Sequence, residues 1–149
     1  MILTQALAQL AVLTLGVVYG TDVFFAVVAQ TALAHVSEGS ITEVMGRLHQ
    51  YADRRMPLFG VSGIVFTIGL VAVTHSPFSI VALGAELIHL GIYFRVSKPV
   101  NETLTAAAIR GESLSNASEL QRRWDRVIVQ RALLLGISLL GVSVTQLHF

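Results

Sequence analysis

The chain has no cysteine and few charges: 13% of its 149 residues are Asp, Glu, Lys or Arg, while 54% are hydrophobic. Without cysteine there is no disulfide, no thiolate nucleophile and no cysteine-ligated metal cluster. A soluble domain carries about 25% charged residues, so roughly half the usual supply of solvated surface is present. A net charge of +1 leaves no electrostatic footprint for nucleic acid. Lys and Arg are missing from whole stretches. None precedes Arg47, none lies between Arg55 and Arg95, and none follows Arg131.

What the chain has instead is long apolar runs, with a mean hydropathy of +0.71. Its length suits a single transmembrane domain, 1–149. Crossing a bilayer takes about 20 mainly apolar residues in a helix, and four segments qualify: Ala6 to Leu33, Pro57 to Thr74, Phe78 to Val96 and Val127 to Leu147. Met1 to Leu15 holds no Lys or Arg for the positive region of a signal peptide, and its apolar run continues. It reads as the start of the first span. Pro57 fits the first turn of the second span, where its missing N–H costs nothing. His75-Ser76-Pro77 reads as a tight turn that sets spans two and three antiparallel.

The one-sided charge distribution orients the chain. Excess Lys and Arg stays in cytoplasmic loops, which predicts a multi-pass cell-membrane protein with both charged connections cytoplasmic and both termini outside. The connections carry helical signals. Ser40 and Glu43 match a capping box. Asn101 can cap a segment that Gly111 ends, and Glu119 to Arg126 runs into span four after a break at Ser115 to Ser118. The expected fold is all-α: an integral membrane four-helix bundle with short cytoplasmic-face helices in the two connections. Plain extensions of the spans fit the same pattern. Asn101-Glu102-Thr103 and Asn116-Ala117-Ser118 match glycosylation sequons, which cytoplasmic placement makes incidental.

Ionisable groups within spans are expensive and usually face a bundle interior. Span three carries Glu86, His89 and Tyr93 on one helical face, span one carries Tyr19 and Asp22, and span four carries Trp124, Arg131 and Ser138 at sevenfold spacing. Asp22, His89 and Arg131 fall at similar depths, which predicts a shared pocket toward the cytoplasmic side. The plainer alternative is two structural pairs that fix helix register, Asp22 with Arg131 and Glu86 with His89. Gly16-Val17-Val18-Tyr19-Gly20 permits close helix approach, first within the monomer and alternatively in a homo-oligomer. Gly60, Gly63, Gly84, Gly91, Gly136 and Gly141 suggest further tight contacts. His35, His49 and His75 lie near membrane boundaries, and His49 is placed to reach Trp124. No metal signature occurs: Glu86 to His89 is a single Glu-x-x-His, and paired sites need two. An axial ligand to haem, through His89 or His49, remains an alternative cofactor role.

Lys98-Pro99-Val100-Asn101-Glu102, then Arg123-Trp124-Asp125-Arg126 and Arg131 a turn later, resemble the signature of the anthrone oxygenase family. That family includes many bacterial four-span membrane proteins. Arg54-Arg55-Met56-Pro57 is similar as well, and one Asn of the family pattern is replaced within Val96-Ser97-Lys98. The resemblance implies an oxidoreductase acting on a membrane-soluble aromatic or quinone-like substrate. His89 or Glu86 would be the base, with Asp22 beside them, and Arg131 would stabilise the resulting anion. Tyr19, Tyr93, Asn101, Trp124 and His49 would contact substrate. The second class left open is a non-catalytic membrane protein that binds haem, lipid or quinone, or a subunit of a membrane assembly.

Overall fold

A computed structural model describes residues 1–148 of the chain. Four helices account for nearly all of them: α1 (Ile2–Leu33), α2 (Glu38–Thr74), α3 (Pro77–Arg110) and α4 (Ala117–His148), each long and apolar enough to cross a membrane. This is the architecture of a multi-pass membrane protein. The helices run up and down as a four-helix bundle. The α1–α2 and α3–α4 connections share one end, while the termini and the α2–α3 turn share the other. Large apolar side chains such as Leu13, Val65, Ile80, Ile88, Leu133 and Leu140 are exposed on the outside, as a lipid-facing surface requires.

Local chemistry sets the ends. Ser37, not Ser40, is the N-cap of α2: its Oγ accepts the Ser40 N–H at 3.2 Å. The α2–α3 turn forms as expected, with His75 left-handed at φ 51°, Ser76 accepting from the Phe78 N–H, and Pro77 opening α3. Gly111 ends α3 at φ 69°, a conformation that suits a residue without Cβ.

Three expectations change. The charged connections are helical, but as extensions of the spans: α2 begins at Glu38 and α3 runs on to Arg110. Asn101 therefore lies inside α3 and caps nothing; its side chain turns to α2 instead. Pro57 also sits inside a helix, because α2 passes straight through it. It removes a single bond to the Asp53 carbonyl, which a long, well-packed membrane helix tolerates.

The third concerns glycine. An added Cβ at Gly16 or Gly20 would meet nothing within 4 Å, so the Gly16–Gly20 face does not pack inside the monomer; the same openness holds at Gly60, Gly84 and Gly91. Close approach occurs elsewhere. A Cβ on Gly46 would strike the Leu104 carbonyl and Ala108, one on Gly63 would strike Leu15, and one on Gly141 would lie 2.6 Å from the Phe78 carbonyl.

Two apolar clusters fill the interior. One joins Ala8, Ala11, Leu15 and Val18 of α1 to Leu70, Ala82, Leu135 and Val142. The other, toward the charged end, joins Ile41 and Met45 to Val100, Leu104, Trp124 and Ile128. Helices α2 and α3 touch least along their middles. They meet at the His75 turn and again where α2 crosses the last turns of α3, so a window is left between them.

Candidate functional site

Each helix brings polar groups to the region behind that window. Two π-helical turns, Phe25–Ala29 in α1 and Tyr93–Ser97 in α3, flank it. Such turns insert one residue and re-aim the side chains around them. Here the α3 turn carries Tyr93 and Ser97, which point to different partners.

Arg131 is the hub. Its Nη2 donates to Asp22 Oδ1 at 3.1 Å and its Nη1 to Ser97 Oγ at 2.8 Å, while Nε lies 3.3 Å from His89 Nε2. Its guanidinium also stands 5.7 Å from the Tyr93 ring and 5.9 Å from the Trp124 ring. Asp22 Oδ2 is 3.1 Å from the same His89 Nε2. That nitrogen faces a carboxylate oxygen and a guanidinium N–H at once. It can donate to the first or accept from the second, but not both. His89 Nδ1 has no hydrogen bond among the described residues.

Glu86 stands apart from His89. Its Oε1 accepts from Thr67 at 2.8 Å and from Ser138 at 2.5 Å, and its buried Oε2 has no partner among the described residues. Of the two register pairs suggested by sequence, Asp22 with Arg131 forms and Glu86 with His89 does not.

A third group was not anticipated. Asp53 of α2 accepts the Tyr93 hydroxyl at 3.0 Å and the Asn101 amide at 2.9 and 3.2 Å. Its position one turn before Pro57 was the available signal, but Asp53 lies in a charged segment that reads as solvated.

A cavity of ≈ 170 Å³ occupies the window, its walls chiefly apolar. Leu15, Val18 and Leu135 form its inner side, and exposed Val61 and Phe94 lie at its outer side. Asp53, Glu86, His89, Tyr93 and Arg131 are its polar lining. Asp22 lies behind Arg131 and His89. Tyr19 packs against the apolar cluster and Gly136, away from the cavity. Trp124 and His49 sit nearer the charged end, with rings 5.7 Å apart, and Phe25 meets the other side of the indole at 5.1 Å. Asn101 reaches the cavity only through Asp53.

No group of three His, Asp or Glu side chains that could hold a metal ion occurs among the described residues. His89 presents its Nε2 to Asp22 and Arg131, while the buried Nε2 of His49, outside the cavity, has no partner among the described residues. Comparison of the chain with protein-family models, curated proteins and solved structures found no match.

Proposed function

We propose that the chain is a membrane oxidoreductase acting on a flat, membrane-soluble aromatic or quinone-like substrate, in the manner of the anthrone oxygenase family. The observation that carries this reading is the cavity itself. It is apolar enough for an aromatic ring and opens on the lipid-facing side between α2 and α3, yet it is lined by His89 and Arg131, with Asp22 paired to both behind them. The resemblance adds weight, because Arg131 of its motifs lines the cavity, Trp124 stands against Arg131 and Asn101 holds the lining Asp53. Ser97, in the stretch where the family pattern has Asn, is the residue that Arg131 grips.

The arrangement suits proton abstraction from a carbon made acidic by a neighbouring aromatic carbonyl. With Nε2–H directed at Asp22, His89 keeps a lone pair on Nδ1 as the base, and Asp22 stabilises the ring once it is protonated. Arg131 is held by Asp22 and Ser97 and acts as a fixed positive charge near the forming enolate. Dioxygen then takes up electrons from that anion. Overall, a ring CH2 and O2 become a ring C=O and water, so atoms and electrons balance without a further reductant. In this reading the charged end faces the cytoplasm, supported by the confinement of all ten Lys and Arg to residues 47–55 and 95–131.

The test is aerobic incubation of the purified protein with anthrone, following anthraquinone absorbance and oxygen uptake. Turnover above the uncatalysed rate is expected, and it should be lost in His89→Ala while the protein remains folded. Binding without turnover would move the protein to the non-catalytic class.

A further inference from the structure

Within that cavity the acid least accounted for is Asp53. It lies on α2, opposite the Asp22–His89–Arg131 cluster, and makes no ion pair among the described residues. Its three hydrogen bonds come from neutral donors on α3. Both donors converge on Oδ1, while Oδ2 receives only the longer Asn101 contact at 3.2 Å. A carboxylate has about four acceptor sites, so Oδ2 retains unused capacity at the cavity edge.

The local backbone is arranged to hold it there. Pro57, one turn further on, also lines the cavity, as does Gly60, where nothing fills the space a Cβ would take. Across the window, the π-helical turn carries Tyr93, and Asn101 approaches from two turns beyond. Asn101 is buried; its amide nitrogen fixes the carboxylate, and its Oδ1 has no partner among the described residues.

We propose that Asp53 anchors a hydrogen-bond donor of the ligand, a phenolic hydroxyl carried on an aromatic ring, with Tyr93 and Asn101 as its positioning residues. The inference rests on the cavity being a ligand site, and it specifies which end of the ligand lies toward the charged end of the bundle. Of the other polar groups of the lining, His89 and Glu86 keep a free acceptor atom, each at another point of the cavity. Arg131 is a donor only, and His89 has only Nδ1 free, the atom that serves as the base in the reading above. Glu86 lies about 10 Å further along α3, seven residues from Tyr93. A ligand carbonyl at Asp53 would set acceptor against acceptor, whereas a hydroxyl completes the set.

The experiment compares 2-naphthol with 2-methoxynaphthalene, which keeps the ring system and loses the donor. Binding is measured by titration calorimetry on the full chain in detergent. The wild type should bind 2-naphthol about tenfold or more tighter, as a hydrogen bond to a charged group in an apolar site implies. In Asp53→Ala the preference should vanish while 2-methoxynaphthalene binds as before. Asp53→Asn keeps the size of the side chain and loses the charge, so it should narrow the preference, which gives a second reading if Asp53→Ala fails to fold. Equal binding of both probes by the wild type overturns the proposal and leaves the cavity as an aromatic site. A preference that persists in folded Asp53→Ala also overturns it. If the folded wild type binds neither probe, the ligand-site reading falls too.

Discussion

Arg131→Leu should be the most informative single change in the bundle. The side chains of Arg131 and Asp22 are only 8% and 4% exposed, so solvent screens their attraction little. Removing one partner of a buried ion pair costs about 3–5 kcal/mol. Asp22 keeps one hydrogen bond, since His89 Nε2 at 3.1 Å can still donate to Oδ2. That places the expected loss near the lower figure, about 3 kcal/mol. At about 2–4 °C per kcal/mol for a chain of this size, melting in detergent should fall by roughly 6–12 °C. Asp22→Asn alone should also destabilise, because it leaves the guanidinium with Ser97 and no counter-charge. The double variant is the decisive measurement. Its loss should be smaller than the sum of the two single losses by roughly 0.5–3 kcal/mol, as for groups in contact. Circular dichroism melts of the four proteins complete the cycle. Additivity to within about 0.5 kcal/mol would refute the pairing from which the site is built.

Gly46→Leu and Gly63→Leu should lower stability or abolish folding, because each new side chain meets a neighbour already in contact; Gly16→Leu and Gly20→Leu should melt as the wild type does in monomeric detergent preparations. Ser37→Ala should cost about 1 kcal/mol, read by thermal melts, through loss of the α2 cap. A reporter that works only outside the cytoplasm should be active after Phe149 and inactive when inserted near Ser115, and the reverse pattern would invert the orientation.

The spans, the His75 turn and the helix stop at Gly111 were legible because each depends on local signals: apolar length, a Ser-Pro start and a left-handed glycine. The convergence of Asp22, His89 and Arg131 was legible too, since charges in spans must face inward at some depth. Their exact partners were not. Glu86 and His89 are three residues apart, so they diverge by about 60° around the helix axis. That is enough to send Glu86 to Thr67 and Ser138 and His89 to α1 and α4. Glycine spacing likewise signals that close packing is possible without saying which face meets a neighbour, so Gly16 and Gly20 misled while Gly46 drew no notice. Asp53 was hidden by its company. Beside Arg54 and Arg55 it reads as surface charge, and only the extension of α3 beyond the apolar run brings Asn101 across to it.

The two crossings of α2 and α3 have a mechanical consequence. At one end Ser76 and Thr145 tie the turn to α4, and at the other the Thr105 hydroxyl donates to the Gly46 carbonyl at 3.1 Å beside the tightest helix contact. Between these ends the two helices are joined only through side chains, Asp53 with Tyr93 and Asn101 and Thr67 with Glu86. Pro57 has no backbone N–H to stiffen α2 there, and the wide turn at Tyr93–Ser97 loosens α3 at a similar height. A bulky guest that spread the middle of such a frame would work against those few side-chain bonds and not against either connection.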